Sequence, residues 1–361
     1  MRAAPLQPAA ADAPQRVLSY VPHSGWGNQL IALTHALFFA RALGRALVMP
    51  AALHHHDLSF NACNMLATKE SKSLDDIVAR YAEIVDGGRP PVSHFLDAAA
   101  WSVPTVPARS AEELCDTPGP GCAHTLADKC QDEAGVLSLV VPRLRADEAA
   151  LVNLGSAFSL GGVHGNRSNW EDTSAACLCA LKYRDELVAA VAELGAAKLG
   201  GAGAYDAIHL RLTEDFGDPA LVKGRANLAA AAARVRAALA ANTSRPLYVA
   251  TDDVDAALRI VAAERGASTR AVVTARDFDR HAAEGVLAYL GAKAQAEAEF
   301  MRALLIDAVL IVESHAFSDG GGTFSTIGVR MRECRAHPGE KVCSAADVER
   351  ARRGVMGRSR S

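Results

Sequence analysis

Short apolar runs alternate with helix-periodic segments along this chain, and glycine and proline mark most of the boundaries between them. Val17 to Val21 is an apolar run of strand type. Pro22-His23-Ser24-Gly25-Trp26-Gly27-Asn28-Gln29 reads as a glycine-containing loop. Leu30 to Leu43 carries apolar residues at helical spacing and stops at Gly44, the residue type favoured for a left-handed C-terminal cap. Ala46 to Met49, closed by Pro50, predicts a second strand. This is a βαβ unit with a glycine loop at its helix start, where free backbone N–H groups can take a phosphate.

Leu181 to Leu199 predicts a helix, after which the pattern starts afresh. Strands are expected at Ala204–Leu212, Leu247–Thr251, Ala271–Thr274 and Ala308–Glu313. Helices are expected at Leu228–Ala241 and Val254–Arg265, from Ala294 through Ala303 towards Ile306, and from about Ser325. Such alternation predicts a second parallel α/β domain. The expected organisation is an N-terminal Rossmann-like domain over 15–199 and a C-terminal one over 200–335. A Cys/Pro/Gly-rich insertion is expected at about 90–135, and a polar, basic tail over 336–361.

Composition narrows the class. The 361 residues carry a formal net charge of −3, so no basic excess points to nucleic acid or to an anionic membrane. No apolar run is long enough to span a bilayer, and the Ala/Pro-rich start from Met1 to Arg16 lacks the apolar centre of a signal peptide. Eight cysteines pull the other way. Cys115, Cys122 and Cys130 cluster, Cys177 and Cys179 are close together, and Cys334 and Cys343 flank a Pro-Gly turn. None has the paired spacing of a zinc site. With the sequons Asn166-Arg167-Ser168 and Asn242-Thr243-Ser244 they favour a secretory lumen, ER or Golgi, reached through an upstream targeting segment; without such a segment the expectation is cytoplasmic.

Four segments carry candidate chemistry. In the first loop, Gly25 and Gly27 allow close backbone approach to a ligand, and Asn28 and Gln29 offer neutral donors and acceptors. In His209-Leu210-Arg211, the strand period of two puts His209 and Arg211 on one face. A guanidinium at the carboxyl end of a strand suits a phosphate, which it holds through paired hydrogen bonds; the alternative is that Arg211 pairs with Glu214 or Asp215. The strand Leu247–Thr251 ends in Asp252 and Asp253. These can accept from a ribose hydroxyl or a guanine N–H edge, or one of them can cap the next helix. The fourth, Ser314 to Ser325, ends in a Gly-rich turn with the hydroxyls of Thr323 and Ser325 at a helix start. It is a phosphate cradle by type or an ordinary N-cap, with Phe324 a candidate for base stacking. Two metal patterns carry less weight. Asp253-Val254-Asp255 is a three-residue Asp-x-Asp match, and the adjacent histidines of His54-His55-His56-Asp57 cannot easily converge on one ion.

The order of these segments resembles the GDP-fucose-dependent O-fucosyltransferase family, with the α1,6-fucosyltransferases as relatives. The resemblance rests on Gly25-Trp26-Gly27-Asn28-Gln29 with Leu47-Val48-Met49-Pro50, on His209-Leu210-Arg211 with Asp215, on Ala250-Thr251-Asp252-Asp253 and on Thr323-Phe324-Ser325. It implies a GT-B fold, two facing Rossmann-like domains with parallel sheets, and inverting transfer of fucose from GDP-fucose to a hydroxyl of a protein or glycan, with no cofactor and no bound metal. It implies donor contacts from Gly25, Gly27, Asn28, His209, Arg211, Asp252, Asp253, Thr323, Phe324 and Ser325, and catalytic roles for Arg211 and Asn28. The general base is open, with Asp57, Glu214 and Asp215 the nearest carboxylates. Alternatives are a transferase for another nucleotide sugar and a noncatalytic glycan- or nucleotide-binding protein of the same fold. A dinucleotide oxidoreductase fits poorly, because Gly25-Trp26-Gly27-Asn28-Gln29-Leu30 lacks the third glycine that packs such a helix.

Overall fold

The computed structural model describes residues 16–22, 25–53, 58, 74–107, 123–125, 141–146, 148–154, 176–212, 224–241, 244–278, 295–320, 322–337 and 339–358. In the first half, β1 (Val17–Ser19), α1 (Trp26–Leu43) and β2 (Ala46–Val48) form the expected βαβ unit. They are followed by α2 (Leu74–Asp86), β3 (Thr105–Val106), β4 (Ala123–Thr125), α3 (Val141–Ala146) and β5 (Leu151–Asn153). The second half comprises α4 (Asp185–Leu199), β6 (Asp206–Leu210), α5 (Gly224–Ala240), β7 (Leu247–Thr251), α6 (Val254–Glu264) and β8 (Val272–Thr274). It continues with α7 (Gln295–Glu313), β9 (Ala316–Ser318), α8 (Gly322–Ala336) and α9 (Ala345–Arg358).

The strands form two sheets, ordered β3-β2-β1-β5-β4 and β8-β7-β6-β9. Every pairing in them is parallel. Each sheet begins at a central strand, grows outward on one side and then returns to the other. The order therefore reverses between β1 and β5 and between β6 and β9, and ligands of such sheets bind beyond the carboxyl ends at these reversals.

Several boundaries differ from the sequence pattern. Helix α1 starts at Trp26: Gly25 is its extended N-cap, and Gly27, Asn28 and Gln29 are its first turn rather than a loop. Gly44 ends it with φ 66°, the left-handed cap expected. Ala308 to Glu313 is the last part of α7 and not a strand. Residues 305–312 are all buried, and an apolar run covered on every side shows no period that separates helix from strand. The strand before the last turn is instead β9, and α8 starts early enough to hold Thr323, Phe324 and Ser325 in its first turn. Within the stretch 90–135, β3 and β4 pair with the strands of the first sheet. The tail contains α9, which buries Val348 and Ala351 and packs on α1.

Helix α1 is apolar on all sides because the sheet covers one face and α8 and α9 cover another. One apolar cluster thus runs from Leu18 and α1 through Tyr248 and α7 to Met331 and Ala351, joining the two halves. The disulfides Cys177–Cys343 and Cys179–Cys334 fasten the same seam. No helix among the described residues is long and apolar enough to cross a membrane. The residues 54–57, Cys115, Cys122, Cys130, Glu214, Asp215 and both sequon asparagines lie outside the described residues.

Candidate active site

The carboxyl ends of β6 and β9 bring distant motifs together. His209 is buried on β6, and its Nδ1 lies 2.6 Å from Oγ of Ser325, in the first turn of α8. The same Oγ accepts from the Gly320 N–H at 3.3 Å. The Phe324 ring stands 5.2 Å from the imidazole at 55°. A Cβ at Gly320 would lie 2.0 Å from the His209 carbonyl oxygen, so only glycine lets the β9–α8 turn cross the strand this closely.

Arg211 follows β6 by one residue and is half-buried. Asp252 follows β7 by one residue, and its carboxylate accepts from the Leu212 N–H at 2.8 Å, pinning the backbone just after Arg211. Asp253, expected to contact the donor, gives an oxygen to the Ala256 N–H at 2.9 Å and caps α6, the role the sequence allowed for one of the two acids. Asp255 pairs with Arg276 at 2.7 Å. Both carboxylates of the Asp-x-Asp match are therefore engaged by protein groups, and no group of metal-ligating side chains is assembled among the described residues. The Thr323 side chain lies outside them.

Sequence reasoning missed Asp307 of α7. Its buried carboxyl accepts from the Tyr248 hydroxyl and the Thr251 N–H, beneath the end of β7. The available signal was an acid inside the apolar run Leu304-Leu305-Ile306-Asp307-Ala308-Val309. Such a residue is buried and bonded rather than a solvated helix position.

His209 and Asp307 titrate in opposite senses. Burial pushes His209 down from 6.5 to about 4, so between these values the unfolded chain holds a proton that the folded chain lacks, and stability rises with pH. Burial pushes Asp307 up from 3.8 to about 7, so there the folded chain holds the extra proton, and stability falls as pH rises. The two slopes offset each other between about pH 4 and 6.5. Asp307→Asn should unmask the histidine: from about pH 4.5 to 6.5 its stability should rise by about 2–3 kcal/mol more than that of the unmodified protein. Urea unfolding at the two pH values measures this, and parallel profiles would remove one of the two groups from the account.

The other half offers Asn28, half-buried in the first turn of α1 near the β1–β5 reversal. Gln29 does not face a ligand. Both ends of its amide are used on the Leu53 backbone, at 2.8 and 2.9 Å.

Comparison with solved structures matches the fold over nearly the whole chain. POFUT1, crystallised with GDP-fucose, superposes with a TM-score of 0.53 at 14% identity, covering 90% of this chain and 96% of that one. The fucosyltransferase NodZ from Bradyrhizobium gives 0.51 at 13% identity, covering 88% and 93%. The chain has the GT-B fold of these fucosyltransferases. A curated relative, O-fucosyltransferase 30 of Arabidopsis thaliana, is 43% identical over 49 residues, which is 14% of this chain and 10% of that protein. The match thus spans about a tenth of that relative's length. No family model matches the chain. Within the GT-B frame, the half containing β6 to β9 holds His209, Arg211, Asp252 and Ser325, and the half containing β1 to β5 holds Asn28.

Proposed function

We propose that this protein is an inverting fucosyltransferase that moves fucose from GDP-fucose to a hydroxyl of a protein or glycan in the lumen of the secretory pathway. The observation that carries the reading is the convergence of His209, Ser325, Phe324 and Gly320 where the second sheet reverses, with Arg211 leaving the same strand. The disulfides fit an oxidising compartment.

In this reading the acceptor oxygen attacks C1 of fucose, the bond from C1 to the β-phosphate oxygen breaks, and GDP departs. Negative charge grows on that oxygen, and Arg211 answers it with paired hydrogen bonds. The N-terminus of α8, with Thr323, adds neutral donors, while Ser325, fully buried, ties His209 to the β9–α8 turn behind them. His209 stays neutral and orients Ser325, while Asp252 holds the turn after Arg211 and faces the nucleoside. Gly25 and Gly27 let the first turn of α1 approach the sugar, and Asn28 orients the acceptor hydroxyl. Glu214 or Asp215 takes the acceptor proton or positions Arg211. The transition state is loose, so the base contributes modestly.

GDP should raise the melting temperature where UDP and NAD do not. At a hundredfold excess over Kd the stabilisation is about 2.7 kcal/mol, a shift of several degrees. Selective stabilisation by UDP would move the reading to another nucleotide sugar. Binding of GDP without turnover on any acceptor would favour a noncatalytic module.

A further inference from the structure

The first turn of α1 is held from two sides. Trp26, 2% exposed, donates from Nε1 to the Tyr183 hydroxyl at 3.2 Å and meets the Phe95 ring edge-on, with centroids 5.8 Å apart. Tyr183 is itself buried and lies just before α4. Three residues after Trp26, Gln29 is also 2% exposed and exchanges two hydrogen bonds with the backbone of Leu53. The partners are 157 and 24 residues away in sequence, so both braces are tertiary. The N-cap is Gly25, which brings no side chain to this end.

Asn28 lies between the two braces. Its Oδ1 is buried and has no hydrogen-bond partner among the described residues. Buried acceptors are almost always satisfied. One held by two braces and left without a partner among the described residues fits an amide kept in a set orientation for a group from outside the chain. Bracing a turn from both sides is also how a reacting geometry is kept within tolerance.

We propose that Trp26 with Tyr183, and Gln29 with Leu53, are positioning pairs that fix the Asn28 amide for the reacting hydroxyl. The identity of that hydroxyl rests on the fucosyl-transfer reading; the bracing of Asn28 does not. The pairs touch no substrate and act through the helix turn.

Tyr183→Phe removes one hydroxyl and leaves the ring. Gln29→Glu keeps the shape but sets a carboxylate oxygen against the Leu53 carbonyl, and Trp26→Phe serves as a second cut of the first brace should Gln29→Glu not fold. Each variant should lower kcat about tenfold while GDP affinity stays unchanged, because the phosphate clamp belongs to the other sheet. In protein labelled with ¹⁵N-asparagine, with Asn28→Asp assigning the signal, the Asn28 side-chain order parameter should fall below about 0.6 in the variants. Unchanged order and unchanged kcat would overturn the proposal. A parallel fall in GDP affinity would do so too, by making the braces general structural supports. If the unmodified protein shows no transfer from GDP-fucose, the donor reading fails, and the amide order still decides whether the braces hold Asn28.

Discussion

Arg211→Ala should lower kcat for fucosyl transfer about a thousandfold while leaving the fold intact. In the proposed reaction the leaving β-phosphate gains charge as its bond to C1 breaks, and a guanidinium placed for it would act mainly in the transition state. Arg211 is half-buried beyond β6, and its strand neighbour His209 is already tied to Ser325 at 2.6 Å, so the substitution empties one position in an otherwise braced edge. Arg211→Lys should recover only part of the rate, because an ammonium keeps the charge and loses the planar fork. GDP release measured beside a urea unfolding curve separates the two effects. Unimpaired turnover would remove the arginine from the chemistry, and a collapsed unfolding midpoint would make it structural.

The disulfides should show a cooperative loss. Cys177–Cys343 closes a loop of sequence separation 166, and Cys179–Cys334, of separation 155, is nested inside it. With either bond intact, the other closes only a short ring of roughly a dozen residues, so replacing one pair with serine should cost about 3 kcal/mol. Replacing both pairs releases the long loop as well and should cost about 8 kcal/mol, more than the two single losses added. That approaches the whole stability of an ordinary domain. Urea midpoints of the two single-pair variants and the double-pair variant measure this, and strictly additive values would count against the nested-loop account. The double loss should also weaken GDP binding, because the freed end of α8 belongs to the helix whose first turn carries Ser325.

Much of both halves was legible from periodicity. Leu247–Thr251 is the strand that its apolar run predicts, and Gly44 is the cap that its position predicts. These are local outcomes of side-chain period and of glycine's freedom at positive φ. Errors came where burial on every side erased the period. Ala308 to Glu313 reads as strand because β-branched residues crowd it, but it continues α7 because that helix is enclosed by β6, β7, α4 and α8. The basic character of 336–361 similarly hid Val348 and Ala351, buried apolar positions of α9, which packs on α1.

By itself the sequence determined which residue types were present to do chemistry: an arginine leaving a strand, paired acids after another, hydroxyls at a helix start and an Asn-Gln dipeptide after glycines. Only the tertiary structure decided how they divide the work. Asp253 caps a helix while Asp252 holds the Leu212 backbone, Gln29 binds Leu53 while Asn28 keeps its oxygen buried without a partner among the described residues, and Asp307 enters as a buried acid beneath β7. The physical reason is range. Period and capping act within a few residues and can be read locally, whereas a hydrogen bond such as His209 to Ser325 spans 116 residues and exists only because two parallel strands place their carboxyl ends side by side.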